Sequence, residues 1–385
     1  MFILLLFLVL IFVLFVISFF WFDHGLMWML SISKPIISNV EFLRQLRFDN
    51  RNVMADLFIV LIVLLTFIQI YLLISKKYKI FKRKHLTILF IIGLVASLAY
   101  PLLSKDIFSY MFGAKILFHY NQNPYTITPI DFQSVDMQLS FTHWLTAKYV
   151  YGPIYLLISG VPMILLGGDR FIANYVGIKL INLFCFLISG WFILKVTKDK
   201  RVYVYWFLNP LLILEYLING HNDLVMAAIF FGSVYIWKVK NKLFGGLLFV
   251  ASVLTKFISG IFLPFFFLKE GYQKDFFKMV MLAILLGFTI RGGQLWYFTW
   301  IFMALPLAKI KNASLIVIFL FSLHLIIIKY YGFSLADSWT REGNYNRYSR
   351  IIWCLAPLIA YIEYKDKFRN LWGVLKKKSA LLINK

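Results

Sequence analysis

One carboxylate, Asp106, stands where chemistry at a membrane surface would need a base. It follows an apolar run of membrane length that ends at Leu103, and it opens a segment with helical periodicity. The apolar positions of that segment are Ile107, Tyr110, Met111, Ala114, Leu117 and Phe118. They predict an amphipathic helix in the interface, with Ser104 as its N-cap and Asn123-Pro124 as its stop. A carboxylate held there could take a proton from a water-borne group, or it could serve only as a favourable partner of the helix dipole.

A second polar cluster, Asn219-Gly-His-Asn-Asp223, lies between two apolar runs. It reads as a hydrated turn, since Asn-Gly is a common turn pair. His221 and Asp223 could also orient an acceptor hydroxyl or bind a divalent cation, although no spaced set of metal ligands is visible. Glu215 falls inside the preceding run, where a carboxylate costs about 2.5–3.5 kcal/mol and is by default a functional candidate.

Several cations could bind a phosphate on the same side of the membrane. Lys256 lies in the middle of the apolar stretch 244–268, and two short spans hinged at this residue would bring its ammonium to the outer surface. Phosphate recognition needs cations or backbone N–H donors. The other candidates are Arg291, Arg341, Arg347 and Arg350, the last three of which could equally belong to a solvated loop.

The composition predicts a polytopic membrane protein that forms a single integral-membrane domain over residues 1–385. Of its 385 residues 61% are hydrophobic, and its mean hydropathy is +0.79. At roughly 20 residues per span there is room for a dozen or so helices and for no separate soluble domain. The net charge of +23 comes from short basic clusters between apolar runs. That pattern follows the positive-inside rule and excludes a nucleic-acid footprint.

We predict an all-α fold with 12 or 13 membrane helices. The spans lie near 1–22, 57–74, 86–103, 151–168, 171–194, 202–218, 222–237, 244–255, 257–268, 279–290, 294–309, 313–331 and 351–363. Residues 1–22 lack a basic n-region and a cleavage site, which predicts an uncleaved first span. The basic segments predict a cytoplasmic amino terminus, with Asp106, the turn at 220–223 and Lys256 outside. If the basic loop 195–201 is also inside, either 151–168 is partly re-entrant or that loop breaks the rule. We favour a re-entrant segment, which leaves 12 crossings.

The loop 104–150 is the first large extracytoplasmic loop of this topology and is rich in aromatic residues. An aromatic-lined pocket suits sugar rings, whose C–H faces stack on aromatic side chains, but aromatics also form the ordinary belt at a membrane interface. The loop also holds His119, His143, Asp131 and Asp136. The two aspartates are explained as readily by solvated loop charges as by a site.

Four short motifs occur in order between residues 86 and 270. They are Ser104-x-Asp106-x-x-x-Tyr110, Asn123-Pro-Tyr125, Tyr151-Gly-Pro153, and Asn209-Pro-Leu211 leading to Gly220-His-Asn-Asp223. In order and approximate spacing they resemble the polyprenol-phosphate-mannose-dependent α-(1→6)-mannosyltransferases, membrane enzymes of the GT-C glycosyltransferase superfamily. The run Leu254-Thr-Lys256 before Pro264 is similar to a motif found more widely there. Two features differ from many members of the family, namely an extra span before Asp106 and the lysine-rich composition. The donor sugar could therefore be another hexose, and the acceptor another glycan.

The resemblance implies transfer of a hexose, mannose by preference, from a polyprenyl-phosphate carrier to a glycan or glycolipid acceptor. The site would face outward from the cell membrane, and no cofactor is implied beyond the divalent cation left open above. Asp106 matches the family's catalytic base, which would deprotonate the acceptor hydroxyl as the anomeric carbon inverts. The sugars would contact Tyr110, Tyr125, Tyr151, His221, Asn222 and Asp223. The lipid phosphate would meet Lys256, Arg291, Arg341 and Arg347.

Two other classes share this composition. A transporter or flippase of lipid-linked sugars would use Glu215 and Lys256 along a substrate path, and a polymerase or ligase of surface polysaccharide also uses outer-loop arginines. Neither an internal repeat nor a nucleotide-binding loop is visible in the sequence. The long loop with Asp106 directly after a span, together with the turn at 220–223, favours the glycosyltransferase.

Overall fold

The computed structural model describes residues 1–19, 50–142, 144–239, 241–290, 294–336 and 354–366, together with residues 42 and 45. Every regular element in these ranges is helical, so the all-α prediction is confirmed. The candidate residues His143, Arg291, Arg341, Arg347 and Arg350 lie outside the described residues.

The helices are numbered here in chain order. They are α1 Phe2–Ser18, α2 Arg51–Ile74, α3 Arg83–Leu98, α4 Asp106–Phe118, α5 Pro153–Leu166, α6 Phe171–Thr197, α7 Asp223–Val239, α8 Lys242–Thr255, α9 Glu270–Ile290, α10 Leu295–Phe298, α11 Ile301–Ala308, α12 Asn312–Ala336 and α13 355–366. Between α6 and α7 the chain forms π-helical turns at Tyr203–Phe207 and Ile213–Ile218, with a short α-helical turn, Pro210–Leu212, before the second. Short 3₁₀ helices cover Lys77–Ile80, Pro129–Phe132, Met137–Phe141 and Phe257–Phe266.

The chain is a polytopic membrane protein, and its membrane helices are shorter and more broken than the hydropathy predicts. Within the described ranges three segments are long and apolar enough to span alone, namely Asn52–Ile74, Phe171–Thr197 and Asn312–Lys329. A fourth is a bent pair, Pro210–Ile218 with α7, whose axes meet at 109°. The predicted span 86–103 ends early, at Leu98, because the chain reaches Pro101 and the residue before a proline disfavours the helical conformation.

The basic segments that predict the cytoplasmic side meet at one end of the bundle. Lys200 Nζ donates to the carbonyl of Lys79 at 3.0 Å, and Arg201 Nη1 donates to the carbonyl of Ile310 at 2.8 Å. At the same end Lys311 pairs with Asp366 at 2.8 Å. We call this the basic end. The loop 195–201 therefore lies with the other basic segments, as the charge pattern requires.

Helix α5 starts and finishes at the opposite end of the bundle. At its start the N–H of Gly152 donates to the carbonyl of Thr255 at 3.2 Å. At its finish Gly168 lies against His119, and the chain then enters α6, whose first ring, Phe171, stacks on Phe108. Helix α6 then makes the passage to the basic end. The re-entrant course of 151–168 relative to the membrane stays a prediction.

The apolar stretch 244–268 is broken at Lys256, as its lysine predicts. Helix α8 stops at Thr255, Lys256 is extended with φ −157° and ψ 116°, and a 3₁₀ helix then returns toward the basic end. Phe266 packs on Trp237 there, at a ring distance of 4.9 Å. The ammonium therefore sits at the turn of a helical hairpin, opposite the basic end.

Helix α4 begins one residue later and ends earlier than predicted. Its N-cap is Lys105, although the hydroxyl of Ser104 accepts the N–H of Asp106 at 3.3 Å, and its last residue is Phe118. The predicted apolar face is buried only in part, because Leu117 and Phe118 keep partial exposure. The opposite side is buried too, since the loop 119–150 folds over it. The residues buried there are Phe108, Phe112, Lys115 and Ile116.

Candidate active site

The polar turn, residues 219–222, occupies the break between Ile213–Ile218 and α7. Asn219 connects this turn to the segment that leads into α4, because its Oδ1 accepts the N–H groups of Leu102 and Leu103 at 3.1 and 3.0 Å. A side-chain carbonyl that accepts two backbone donors satisfies N–H groups of the irregular segment between α3 and α4. The contact holds the start of α4 against the turn.

Two further features fix this junction. Gly220 has φ +78° and passes so close to Ile107 that an added methyl group would lie 2.8 Å from its Cδ1, which requires glycine. Lys179 of α6 is fully buried. Its Nζ donates to three backbone carbonyls, those of Ala99, Leu217 and Ile218. One ammonium therefore ties the end of α3 to the last carbonyls before the turn.

Asp106, His221 and Glu215 form a row across the junction. His221 Nδ1 lies 3.9 Å from Asp106 Oδ2, and Nε2 lies 3.0 Å from Glu215 Oε2, so each is an ion pair when the imidazole is protonated. Asn219 Nδ2 donates to the other oxygen of Glu215 at 3.3 Å. His221 and Glu215 are buried, whereas the side chain of Asp106 keeps 15% of its exposure. The carboxylate at the open end of the row is therefore the one that a ligand can reach.

Lys256 forms a second group beside this row. Its Nζ contacts both carboxylate oxygens of Asp223 at 2.8 and 2.9 Å and donates to Asn222 Oδ1 at 3.3 Å. Asp223 is fully buried, whereas the Lys256 side chain keeps 14% of its exposure. Asn222 Nδ2 is buried and finds no hydrogen-bond partner among the described residues. The group therefore offers an amide donor and a partly exposed ammonium next to a buried carboxylate.

Aromatic residues from 295–300 line this group. The indole of Trp296 stacks on His221 at 4.7 Å between ring centres, and the Trp300 N–H donates to Asp223 Oδ1. Lys256 Nζ lies 5.8 Å from the ring of Tyr297 and 5.6 Å from that of Trp300, within the range of cation–π attraction. The segment around α10 therefore completes the surroundings of both His221 and Lys256.

The three tyrosines of the motifs support one another. Tyr110 is buried, its hydroxyl lies 3.5 Å from His221 Nδ1, and its ring meets that of Tyr151 edge-on at 4.9 Å. The Tyr125 hydroxyl donates to the carbonyl of Tyr151 at 2.9 Å, and the ring of Tyr151 lies 5.8 Å from Lys256 Nζ. Tyr110 presents no open face to a sugar, so its contacts in this structure are those of a support for His221. Tyr125 remains partly exposed.

The ionisable residues farther along the loop hold it in place. Lys115 pairs with Asp136 at 2.8 Å in a buried ion pair, and the Tyr120 hydroxyl donates to the same carboxylate at 2.8 Å. Burial and this hydrogen bond raise the pKa of the Tyr120 phenol. His119 lies 3.4 Å from Asp169, and Asp131 accepts two hydrogen bonds from Thr128, which lower the pKa of its carboxyl group. None of the contacts found for Asp131, Asp136 or His119 reaches Asp106 or Lys256.

The comparison with known families identifies the family of the chain. A family profile described as alpha-(1→6)-mannopyranosyltransferase, N-terminal domain, matches residues 21–269. The chain belongs to this family. It is a mannosyltransferase of the GT-C type and therefore a glycosyltransferase that uses a sugar donor and a glycan acceptor. No curated protein and no solved structure matches the chain.

The candidate site also contains residues that no motif indicates. The exposed loop residue Trp144 donates its indole N–H to Asp106 Oδ1 at 3.1 Å. Trp296 and Trp300 come from a segment beyond the matched range. A cluster of aromatics at 295–300 is visible in the sequence, but in a membrane protein it is indistinguishable from an interfacial belt. Within the described ranges no group of three or more His, Cys, Asp or Glu side chains is placed to hold a metal ion.

Proposed function

We propose that this mannosyltransferase is a multi-pass protein of the cell membrane. It moves mannose from a polyprenyl-phosphate carrier to a glycan or glycolipid acceptor at the outer face of that membrane. Asp106 acts as the general base. One observation carries the proposal: the partly exposed carboxylate of Asp106 lies at the same junction as His221 and the Asp223–Lys256 pair, at the end of the bundle opposite the basic segments.

The chemistry at such a site is a single displacement. The acceptor hydroxyl oxygen attacks the anomeric carbon while its proton passes to Asp106, and the bond from that carbon to the phosphate oxygen breaks. Polyprenyl phosphate leaves with the bonding electron pair, so the anomeric carbon inverts. General-base help of this kind contributes about 10²- to 10⁴-fold in rate.

Lys256 and Asn222 are suited to the leaving phosphate. The ammonium is partly exposed and the Asn222 amide has donors to spare, so both can hydrogen-bond phosphate oxygens as negative charge develops. Asp223 offsets the charge of Lys256 when no donor is bound, which avoids an unpaired ammonium in an aromatic environment. His221 and Asp223 are buried, and we assign them to positioning the partly exposed Asp106 and Lys256.

The test is a transfer assay with purified protein in detergent. Polyprenyl-phosphate-mannose and a mannoside acceptor should yield product and free polyprenyl phosphate. Asp106→Asn should lower turnover about 10²- to 10⁴-fold, because an amide cannot accept the proton. Asp131→Asn, which removes an exposed loop carboxylate, serves as the matched control and should leave turnover unchanged.

The alternatives give different results in the same experiment. The assay is repeated with polyprenyl-phosphate-glucose as the donor. Transfer of glucose in preference to mannose would show that the donor sugar is another hexose. Near-normal turnover in Asp106→Asn would remove Asp106 from the role of base. Movement of the lipid across liposomes without transfer from either donor would favour a flippase.

A further inference from the structure

Trp144 combines an exposed ring with a hydrogen bond to the candidate base. The side chain is 58% exposed, yet its Nε1–H donates inward to Asp106 Oδ1 at 3.1 Å. Asp106 Oδ2 faces His221 instead. The indole therefore lies beside the one carboxylate that a sugar hydroxyl has to reach.

The chain on both sides of Trp144 is held firmly, so the position of its ring is specified by the fold. Three residues earlier, Phe141 is buried against Phe108 and Phe171 at ring distances of 5.4 and 4.8 Å. One residue later, Leu145 packs on the small apolar cluster beside α4, and its carbonyl accepts the N–H of Ile130 at 2.9 Å. A buried residue before the exposed indole and a partly buried one after it indicate that packing fixes the backbone near Trp144.

An interfacial belt is the ordinary explanation for an exposed tryptophan in a membrane protein. A belt residue directs its polar tip to water or headgroups, as amphipathic side chains generally do. Trp191, which is 44% exposed, packs its ring against Phe192, Tyr235 and the ammonium of Lys195, and none of these contacts involves a carboxylate. Trp144 instead uses its N–H on a carboxylate of the site, which a belt does not require.

We propose that the exposed face of Trp144 is the binding platform for the acceptor sugar. The apolar C–H face of a pyranose packs on the indole, and one of its hydroxyl groups then points to Asp106 Oδ2. The Nε1–H holds the carboxylate in the orientation that receives the proton. This inference rests on the proposed role of Asp106 as the base, and it assigns the acceptor, not the lipid donor, to this side of the site.

Two substitutions distinguish the contribution of the aromatic ring of Trp144 from that of its N–H group. Trp144→Leu removes the aromatic face and should raise the KM for a mannoside acceptor about 10- to 100-fold, while the KM for the lipid donor stays unchanged. Trp144→Phe keeps a ring but loses the N–H, so it should lower kcat with an acceptor KM within about threefold of wild type. Trp191→Leu is the matched control and should change none of these values.

A merely structural role for Trp144 makes a different prediction. Both substitutions would then lower kcat and the melting temperature together and leave the acceptor KM unchanged. That result, with folding checked by thermal unfolding in detergent, would overturn the inference.

Binding without turnover separates this inference from the proposed base. Equilibrium dialysis with a labelled mannoside should show weaker binding to Trp144→Leu and wild-type binding to Asp106→Asn. Wild-type affinity in Trp144→Leu would overturn the platform whatever the activity of Asp106→Asn. Turnover retained by Asp106→Asn, beside weak binding to Trp144→Leu, would overturn the base and leave the acceptor platform supported.

Discussion

Asp106 Oδ2 lies 3.9 Å from His221 Nδ1, although Asp106 begins the helix after α3 and His221 sits in the break before α7. No single helix carries both residues. They meet because Asn219 and Lys179 tie the end of α3 to the polar turn. The position of the proposed base therefore depends on contacts between backbone groups and two buried polar side chains.

Glu215 and His221 lie in one row with Asp106, but only His221 is next to the base. This arrangement predicts that the effects of substitutions at Glu215 and His221 on kcat are coupled. Glu215→Gln should lower kcat, because Glu215 is 3.0 Å from His221 and orients its imidazole toward Asp106. If the effect passes through His221, the double variant Glu215→Gln/His221→Gln should lose no more activity than His221→Gln alone. A double-mutant cycle on kcat measures this coupling.

Glu215→Gln combined with Lys195→Met is the control for that cycle. Lys195 is exposed in the last turn of α6, and its contact with Trp191 does not reach the row, so these two changes should be additive. Additive losses in Glu215→Gln/His221→Gln would contradict the proposed route through His221.

Substitutions at Lys256 and Asp223 should affect stability and activity in different ways. Lys256→Met should lower the free energy of unfolding by about 3–5 kcal/mol, because it leaves the buried carboxylate of Asp223 without its cation. Adding Asp223→Asn removes the unpaired charge, so the double variant should recover much of that stability. It should not recover transfer activity, since the proposed phosphate ligand is still missing. Thermal unfolding and the transfer assay on the three proteins provide the measurements.

A double variant as unstable as Lys256→Met would show that the ammonium stabilises the fold through the surrounding rings and not through Asp223. Full activity in the double variant would remove Lys256 from the phosphate site.

The sequence predicts the polar groups of this site better than their surroundings. A carboxylate after a span, a lysine inside an apolar stretch and an Asn-Gly turn each violate the local rule for a membrane helix, which makes Asp106, Lys256 and the polar turn visible. The break at Lys256 follows from the same reasoning, because the unbroken helix would bury an ammonium. Such signals are local, so they can be read without knowing which elements pack together.

The residues that the sequence does not reveal are those whose function depends on long-range packing. Trp144 and Trp300 have ordinary aromatic neighbours along the chain, and only the fold brings their N–H groups to Asp106 and Asp223. Helix α4 has an amphipathic pattern, yet the loop after it buries Lys115 against Asp136 on the side predicted to be exposed. Periodicity cannot show a loop that folds back over a helix.

Gly152 should be intolerant of even one added methyl group. Its Cβ would lie 1.8 Å from the carbonyl oxygen of Leu254, a backbone atom that cannot rotate away. Gly152→Ala should therefore push Tyr151 and the start of α5 away from Lys256. We expect a loss of transfer activity of at least tenfold and a lower melting temperature, measured on the purified variant.

Gly271→Ala is the matched control, because an added methyl group at Gly271 in α9 meets no atom within 4 Å. There the change should be neutral or slightly stabilising, since alanine favours a helix interior by about 1 kcal/mol and Gly271 lies in the first turn. An active and stable Gly152→Ala would show that α5 can shift without disturbing the site.

Lys179→Met tests the connection on which the distance from Asp106 to His221 depends. The substitution keeps the length of the side chain but removes the donors to Ala99, Leu217 and Ile218, which leaves buried carbonyls without a partner. Unpaired buried groups cost about 1–3 kcal/mol each, and relief of the buried ammonium offsets part of this, so we expect a net loss of about 1–3 kcal/mol in the free energy of unfolding. Activity should fall more than stability does, by roughly 10²-fold in kcat, because a displacement of about 1 Å in the base is enough for such a loss.

Lys195→Met on the same helix should change stability by less than about 0.5 kcal/mol. If Lys179→Met lost stability but kept its kcat, Lys179 would support the bundle without setting the position of Asp106.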